Sequence, residues 1–225
     1  MVGLQCVLLP VQFLKGNYLE STIKALNLQY KSDSCFHLQN KTSILFINLI
    51  ILSFLKPVFI VSGEKESGKT TFLINILSLL QTNGFVVGGF VALHEKDADC
   101  YQIKDIKTNK VASLMQRVAS FEKRPYHFKF FSQGVEMGNN CIEELLVHPP
   151  DIVIVDEIGG YELRGKLWSS SFTQLVESSV PMIFSVKESL LDKVMAKWSI
   201  SPSHLFSSAD FNNPGKAFEC IKRFL

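Results

Sequence analysis

The sequence predicts an α/β fold in three layers, with a mainly parallel central sheet between helices. Three observations carry that prediction. From Pro57 onward, short β-branched apolar runs alternate with stretches of helical period, the pattern of βαβ units. The runs Val58-Phe59-Ile60-Val61 and Ile152-Val153-Ile154-Val155 contain no polar residue, so each strand must be covered on both faces. A glycine-bearing turn, Gly63 to Gly68, joins the first strand directly to the first helix.

Composition narrows the class. Of 225 residues, 47% are hydrophobic and 20% charged, which excludes intrinsic disorder. A net charge of +2 and a pI of about 8.2 fall short of the clustered basic face of nucleic-acid binders, so no nucleic-acid partner is expected. The five cysteines, Cys6, Cys35, Cys100, Cys141 and Cys220, form no Cys-x-x-Cys pair; the expectation is reduced thiols in a cytoplasmic protein. A mean hydropathy of +0.18 raises the question of a membrane. Met1 to Pro10 has neither the basic region nor the small-residue cleavage site of a signal peptide. The run from Ser43 to Leu55 is interrupted by Asn48 and is shorter than the ~18–20 residues a span needs. Residues 1–56 are therefore expected to be an N-terminal extension of helical character and unassigned function, ahead of an α/β domain over 57–225. A membrane-surface or protein contact is the alternative use of that extension.

Within the domain the elements follow in order. Pro57 introduces the strand Val58–Val61. Phe72, Leu73, Ile76, Leu77 and Leu80 mark one face of a helix that Asn83-Gly84 terminates. Phe85 to Leu93 reads as the second strand, and its Gly88-Gly89 pair predicts a bend or a close backbone approach. Tyr101 to Ile106 alternates with period two, Thr108-Asn109 reads as a turn, and Val111 to Met115 as the return, an inserted β-hairpin. Val135 to Val147 reads as a helix stopped by Pro149-Pro150. Asp151 to Glu157 then contains the central strand. Trp168, Phe172, Leu175 and Val176 form a helical stripe, Pro181 to Val186 another buried strand, and Leu190, Leu191, Val194, Met195 and Trp198 the next helix face. Pro214 to Leu225 is a terminal helix with proline near its start.

The chemistry concentrates in Gly63-Glu64-Lys65-Glu66-Ser67-Gly68-Lys69-Thr70-Thr71, which fits G-x-x-x-x-G-K-[ST]. Glycines let the backbone turn so that successive N–H groups face phosphate oxygens, at the positive end of the following helix. Lys69 can reach the β- and γ-phosphates, and the Thr70 hydroxyl can ligate Mg²⁺. The acid ending the central strand, Asp156, lies where α/β sheets bind ligands and is the second candidate Mg²⁺ ligand. Its neighbour Glu157 can accept a proton from an attacking water. Alone, an apolar run ending in Asp-Glu is a weak signal. Roughly 85 residues after a phosphate loop it becomes a specific one. Arg117 is a candidate phosphate sensor, with a surface ion pair as the plainer alternative.

The pairing of GEKESGKTT with DEIGGYEL, followed by Gly165 and Trp168, resembles the small P-loop nucleoside-triphosphatase family first described from thermophiles, called cancer-related nucleoside-triphosphatase in humans. The resemblance spans roughly residues 56–198 and includes Gly88-Gly89-Phe90, Tyr101 and the segment ending at Arg117. It implies a three-layer P-loop NTPase fold and Mg²⁺-dependent hydrolysis of nucleoside triphosphates to diphosphates with broad base tolerance. By position, Lys69, Thr70, Asp156 and Glu157 would be the nucleotide, metal and water residues. Members often carry an arginine just before the hairpin's aromatic residue; here that stretch is Asp97-Ala98-Asp99-Cys100, which implies slower hydrolysis if that arginine serves the γ-phosphate.

Two rival functions use the same loop. A nucleoside or nucleotide kinase would need an arginine-rich lid, and the four arginines, Arg117, Arg124, Arg164 and Arg223, do not cluster in sequence. A slow nucleotide-dependent switch or assembly factor would use residues 1–56 for docking. No Asn-Lys-x-Asp motif follows the loop, so guanine selectivity of that type is not expected.

Overall fold

The computed structural model describes residues 56–95, 98–119 and 126–225. The expectations for residues 1–55 lie outside the described residues.

Eight strands form one sheet among the described residues. They are β1 (Val58–Gly63), β2 (Val87–Glu95), β3 (Cys100–Asp105), β4 (Val111–Ala119), β5 (Tyr126–Phe130), β6 (Ile152–Ile158), β7 (Met182–Lys187) and β8 (His204–Phe206). Their spatial order is β5-β4-β3-β2-β6-β7-β1-β8. From β2 to β8 every pairing is parallel, while β3, β4 and β5 extend the sheet antiparallel from β2.

The helices are α1 (Lys69–Thr82), α2 (Ser132–Val147), α3 (Gly160–Leu163), α4 (Ser169–Glu177), α5 (Leu191–Trp198) and α6 (Pro214–Lys222). Period-two alternation sorts each parallel strand between two cores. Val58, Ile60, Val153, Val155, Met182 and Phe184 point to the side of Ile142, Phe172, Leu175 and Trp198, on α2, α4 and α5. Phe59, Val61, Ile152, Ile154 and Ile183 point to the side of Phe72, Leu73, Ile76 and Phe218, on α1 and α6. The result is the expected three-layer α/β fold. Trp168 and Trp198 are core residues, the first packed edge-on against Phe90 and the second against Phe172.

Gly89 answers the question its sequence raised. It sits at φ +105° opposite Ile154 on β6, and a Cβ there would stand 1.9 Å from the Ile154 carbonyl oxygen. Only glycine lets the two strands come that close.

Three elements were not anticipated. The inserted hairpin carries a third antiparallel strand, β5. Its Tyr-His-Phe-Lys-Phe sequence holds the alternating signal, but residues 120–125 before it show no turn pattern. β8 is three residues long, too short for periodicity. The single turn α3 follows the central strand directly. The helices also begin or end a few residues from their expected bounds, as with α2, which starts at Ser132 rather than Val135.

Candidate active site

The C-terminal ends of β1, β7 and β6 lie side by side and bring the loop and the acids together. β1 ends at Gly63, and the chain turns through Glu64–Ser67, where Ser67 N–H donates to the Glu64 carbonyl at 3.2 Å. Glu66 takes φ +62°, a left-handed conformation that costs a residue with a side chain about 1–2 kcal/mol. Gly68 caps α1 at φ +97°, and no side chain satisfies the first-turn N–H groups, so the positive helix end faces the loop.

Lys69 is buried. Its ammonium donates to the carbonyls of Gly63 at 3.0 Å and Glu64 at 2.8 Å. Burial lowers its pKa, opposed by the charges of Glu157, Asp156 and Glu64. Thr70 Oγ1 donates to Asp156 Oδ2 at 2.8 Å, although 86 residues separate them. Asp156 is fully buried and accepts further hydrogen bonds from Ser185 Oγ and from the Ala92 N–H at 3.1 Å. Desolvation pushes its carboxyl up, against those three hydrogen bonds and the Lys69 charge. A buried carboxylate beside a hydroxyl, next to a loop ammonium, is an oxygen donor set suited to a hard divalent cation.

Glu157 departs from the strand. The β6–β7 register breaks between Val155 and Ile158, and Glu157 takes φ +62°. This bulge is how adjacent residues come to differ so sharply: Asp156 is sealed between strands while Glu157 reaches the solvent. The Glu157 N–H donates to Ser185 Oγ at 2.8 Å, so one serine steadies both acids. The surrounding protein and the Asp156 charge raise the Glu157 pKa, against Lys69, Lys65 and His94.

Beyond Glu157 lies a cleft of about 300 Å³ lined by Lys65, Lys69, Glu157, Lys187 and a far wall from the antiparallel strands β3, β4 and β5. Arg117 stands in that wall on β4. Its Nε lies 3.4 Å from Asp99 Oδ2, and its guanidinium carbon is 5.9 Å from the centre of the Phe128 ring. The loop positions Glu64, Lys65 and Glu66 are exposed, Ser67 and Thr70 half-buried, and Thr71 exposed on α1.

A model of the NTPase family matches residues 58–213, more than half of the chain. The chain belongs to the NTPase family. Among the relatives it resembles are the nucleoside-triphosphatases THEP1 of Methanopyrus kandleri, 26% identical over 132 residues (57% of this chain, 72% of that protein), and of Methanocaldococcus jannaschii, 23% identical over 141 residues (61% and 82%). The fold is shared with the crystal structure of THEP1 from Aquifex aeolicus, with a TM-score of 0.54, 17% identity and coverage of 75% of this chain and 96% of that one. It is shared also with the solution structure of a human cancer-related nucleoside triphosphatase, with a TM-score of 0.56, 15% identity and coverage of 75% and 98%.

Two residues of this NTPase site, Ser185 and Lys187, have roles that sequence alone did not suggest, while Glu162 is the helix-start acid its position in the sequence indicates. Ser185, buried on β7, bridges the two acids. Lys187, at the tip of β7 opposite Gly63, reaches into the cleft and lies 3.5 Å from Glu64 Oε2. Glu162, buried in α3, accepts the Gly159 N–H at 2.8 Å and so holds the segment after Glu157; desolvation lifts its carboxyl to about 7. The strand tip was the available signal for Lys187, since α/β sites form at the C-terminal ends of strands. Among the described residues, no helix is long and apolar enough to cross a membrane.

Proposed function

We propose that the chain hydrolyses nucleoside triphosphates to diphosphates and phosphate at the C-terminal ends of β1, β7 and β6. The observation that carries this reading is the Thr70–Asp156 hydrogen bond beside the buried Lys69, which joins the phosphate loop to the central acid strand. The backbone N–H groups from Gly63 to Thr71 cradle the phosphates at the start of α1. Lys69 exchanges its two loop carbonyls for β- and γ-phosphate oxygens. Thr70 and Asp156 would hold Mg²⁺. When bound, that ion would neutralise charge on the phosphate oxygens. Glu157 takes the proton of the attacking water, and its bulge turns it away from the sealed Asp156 toward the cleft. The raised pKa of Glu157 keeps the base nearer neutrality and shifts the acid limb of the rate upward from the ordinary glutamate range. Arg117 faces the same cleft and acts as the phosphate sensor.

The loop contacts phosphates and not the base, which supports tolerance of several bases. Residues 57–225 form the catalytic domain, and the unpaired thiols of Cys100, Cys141 and Cys220 suit a cytoplasmic setting. The test is phosphate release from each NTP, with and without Mg²⁺, by the wild type and by Lys69→Ala. Wild-type turnover is expected to require Mg²⁺, and the variant is expected to lose at least 10²–10³-fold, the worth of one strong oxyanion contact. A folded Lys69→Ala variant with wild-type turnover would overturn the reading.

A further inference from the structure

The phosphate loop leaves β1 with β7 and β6 on one side of it and β8 on the other. The two sides differ in charge. Lys65, Lys69, Lys187 and Glu157 line the cleft on the β7–β6 side, where the γ-phosphate belongs. A nucleotide whose γ-phosphate meets Glu157 carries its nucleoside the other way, past β1 toward β8. β6 and β8 stand three places apart in the sheet, roughly 14 Å at the usual strand spacing, which leaves room for a nucleotide laid across the strand ends. β8 runs parallel to β1, so residues 207–213, which follow it, lie at the same end of the sheet as the loop.

That segment is shaped by its own hydrogen bonds. The Ser207 N–H donates to Asp210 Oδ2 at 2.8 Å, and the Asp210 N–H donates to the Ser207 carbonyl at 2.9 Å. The Asn213 N–H donates to the Asp210 carbonyl at 2.9 Å, and Asn213 Oδ1 caps α6 by accepting the Lys216 N–H at 3.1 Å. These turns lay one ring on the loop. A Cβ at Gly63 would stand 3.4 Å from Phe211 Cε2, and one at Gly68 would stand 4.0 Å from Phe211 Cδ2. Phe211 therefore spans both glycines that bound the phosphate loop. Its ring centre is 4.9 Å from that of Phe72, which in turn lies 5.8 Å from Phe206. Phe72 and Phe206 are buried, whereas Phe211 is half-buried. A ring left half open here can do nothing for a phosphate. Its neighbours Asn212 and Asn213 are exposed and uncharged. Asp210 is the one charged residue of 207–213, and its carboxylate disfavours a second polyanion. The β8 side thus suits a flat, polarisable and uncharged group.

We propose that Phe211 is the platform on which the base of the nucleotide stacks, and that residues 207–213 form the nucleoside end of the site. The proposal rests on the hydrolase reading above for the placement of the phosphates and adds the placement of the base. Stacking uses the π-face that every base has, so it selects a nucleotide over a bare polyphosphate without choosing among bases. Phe211 acts on affinity and leaves the chemistry to Lys69 and Glu157.

The experiment titrates the full chain, with Mg²⁺, with ADP, GDP, CDP, UDP and pyrophosphate, none of which turns over at the γ-position. The wild type is expected to bind all four nucleoside diphosphates more tightly than pyrophosphate. Phe211→Ala and Phe211→Leu should each weaken the four about five- to a hundredfold, the worth of one base–aromatic stack, and leave the pyrophosphate Kd unchanged. Leucine keeps an apolar side chain against Phe72, which guards against Phe211→Ala failing to fold. A Phe211→Leu variant that binds the four like the wild type, or that weakens pyrophosphate by the same factor, shows a ring that merely packs on the loop. Either result overturns the proposal and leaves the hydrolase reading standing, as does a wild type that binds pyrophosphate as tightly as the nucleoside diphosphates. A wild type that shows the expected preference yet releases no phosphate from any NTP overturns the hydrolase reading alone.

Discussion

The parallel and antiparallel halves of the sheet are built on different rules. In the parallel half, β1, β6 and β7 are buried on both faces, and their residues divide between two cores. That burial aligns their C-terminal ends to within a hydrogen bond, so Thr70, Asp156 and Ser185 meet although they come from three separate parts of the chain. In the antiparallel half, α2 packs on β3 and β4, while residues such as Met115 and Arg117 remain half-buried beside the cleft. One half holds fixed polar geometry for phosphate; the other presents a partly exposed aromatic surface. The lesson is that a doubly covered parallel sheet positions charges, and an appended antiparallel edge is free to vary the surface they face.

The comparison breaks most completely at the seam. β2 belongs to both halves, and Gly89 is its closest contact with β6. Gly89→Ala places a methyl 1.9 Å from a backbone oxygen at a positive φ, so it should cost more than about 4 kcal/mol, and chemical denaturation should show a largely unfolded chain.

Within the parallel half the two acids should separate. Glu157→Gln keeps the shape and removes the basic oxygen; it should lose about 10²–10⁴-fold in phosphate release at saturating NTP while nucleotide affinity by titration holds. Asp156→Asn should weaken Mg²⁺ dependence and affinity together. Normal turnover by Glu157→Gln would move water activation elsewhere.

Glu162 sharpens the contrast through pH. Its folded pKa of about 7 lies above the ordinary 4.5, so the folded state binds the extra proton between those values. Stability contributed by that proton is present below about 4.5 and lost as pH rises through 7, on the order of 3 kcal/mol in all. Glu162→Gln keeps an acceptor for the Gly159 N–H without the charge. Thermal melts should therefore show the variant gaining on the wild type as pH rises from 5 to 8. Parallel pH curves would dismiss the assignment.

The smallest effect is expected at Lys187, where the cation is exposed and shared with Glu64. Lys187→Met should raise KM for NTP a few-fold and alter kcat less, in line with a screened surface charge. A loss in kcat alone would instead make it a transition-state contact.

Much of this was legible in sequence because it is local. The phosphate loop lies within nine consecutive residues, and its strand and helix follow from periodicity. The apolar runs of β1 and β6 announced their double burial. β5 was missed although Tyr126 to Phe130 alternate, because no turn signal precedes it, and β8 because three residues carry no period. The wall of the cleft was not legible, since Tyr101, Met115 and Phe128 acquire a common face only through strand pairing.

By itself the sequence determined the three-layer α/β class and the phosphate loop, because hydrophobic period and glycine spacing act over a few residues. It also marked Asp156 and Glu157 as a pair whose side chains part to opposite sides as the strand ends. Only the tertiary structure decided how they part. The bulge against β7 seals Asp156 on Thr70 and Ser185 and sends Glu157 outward at φ +62°. The physical reason is that a strand alternates its side chains by rule, while a break in register depends on the partner strand, which lies almost 30 residues away.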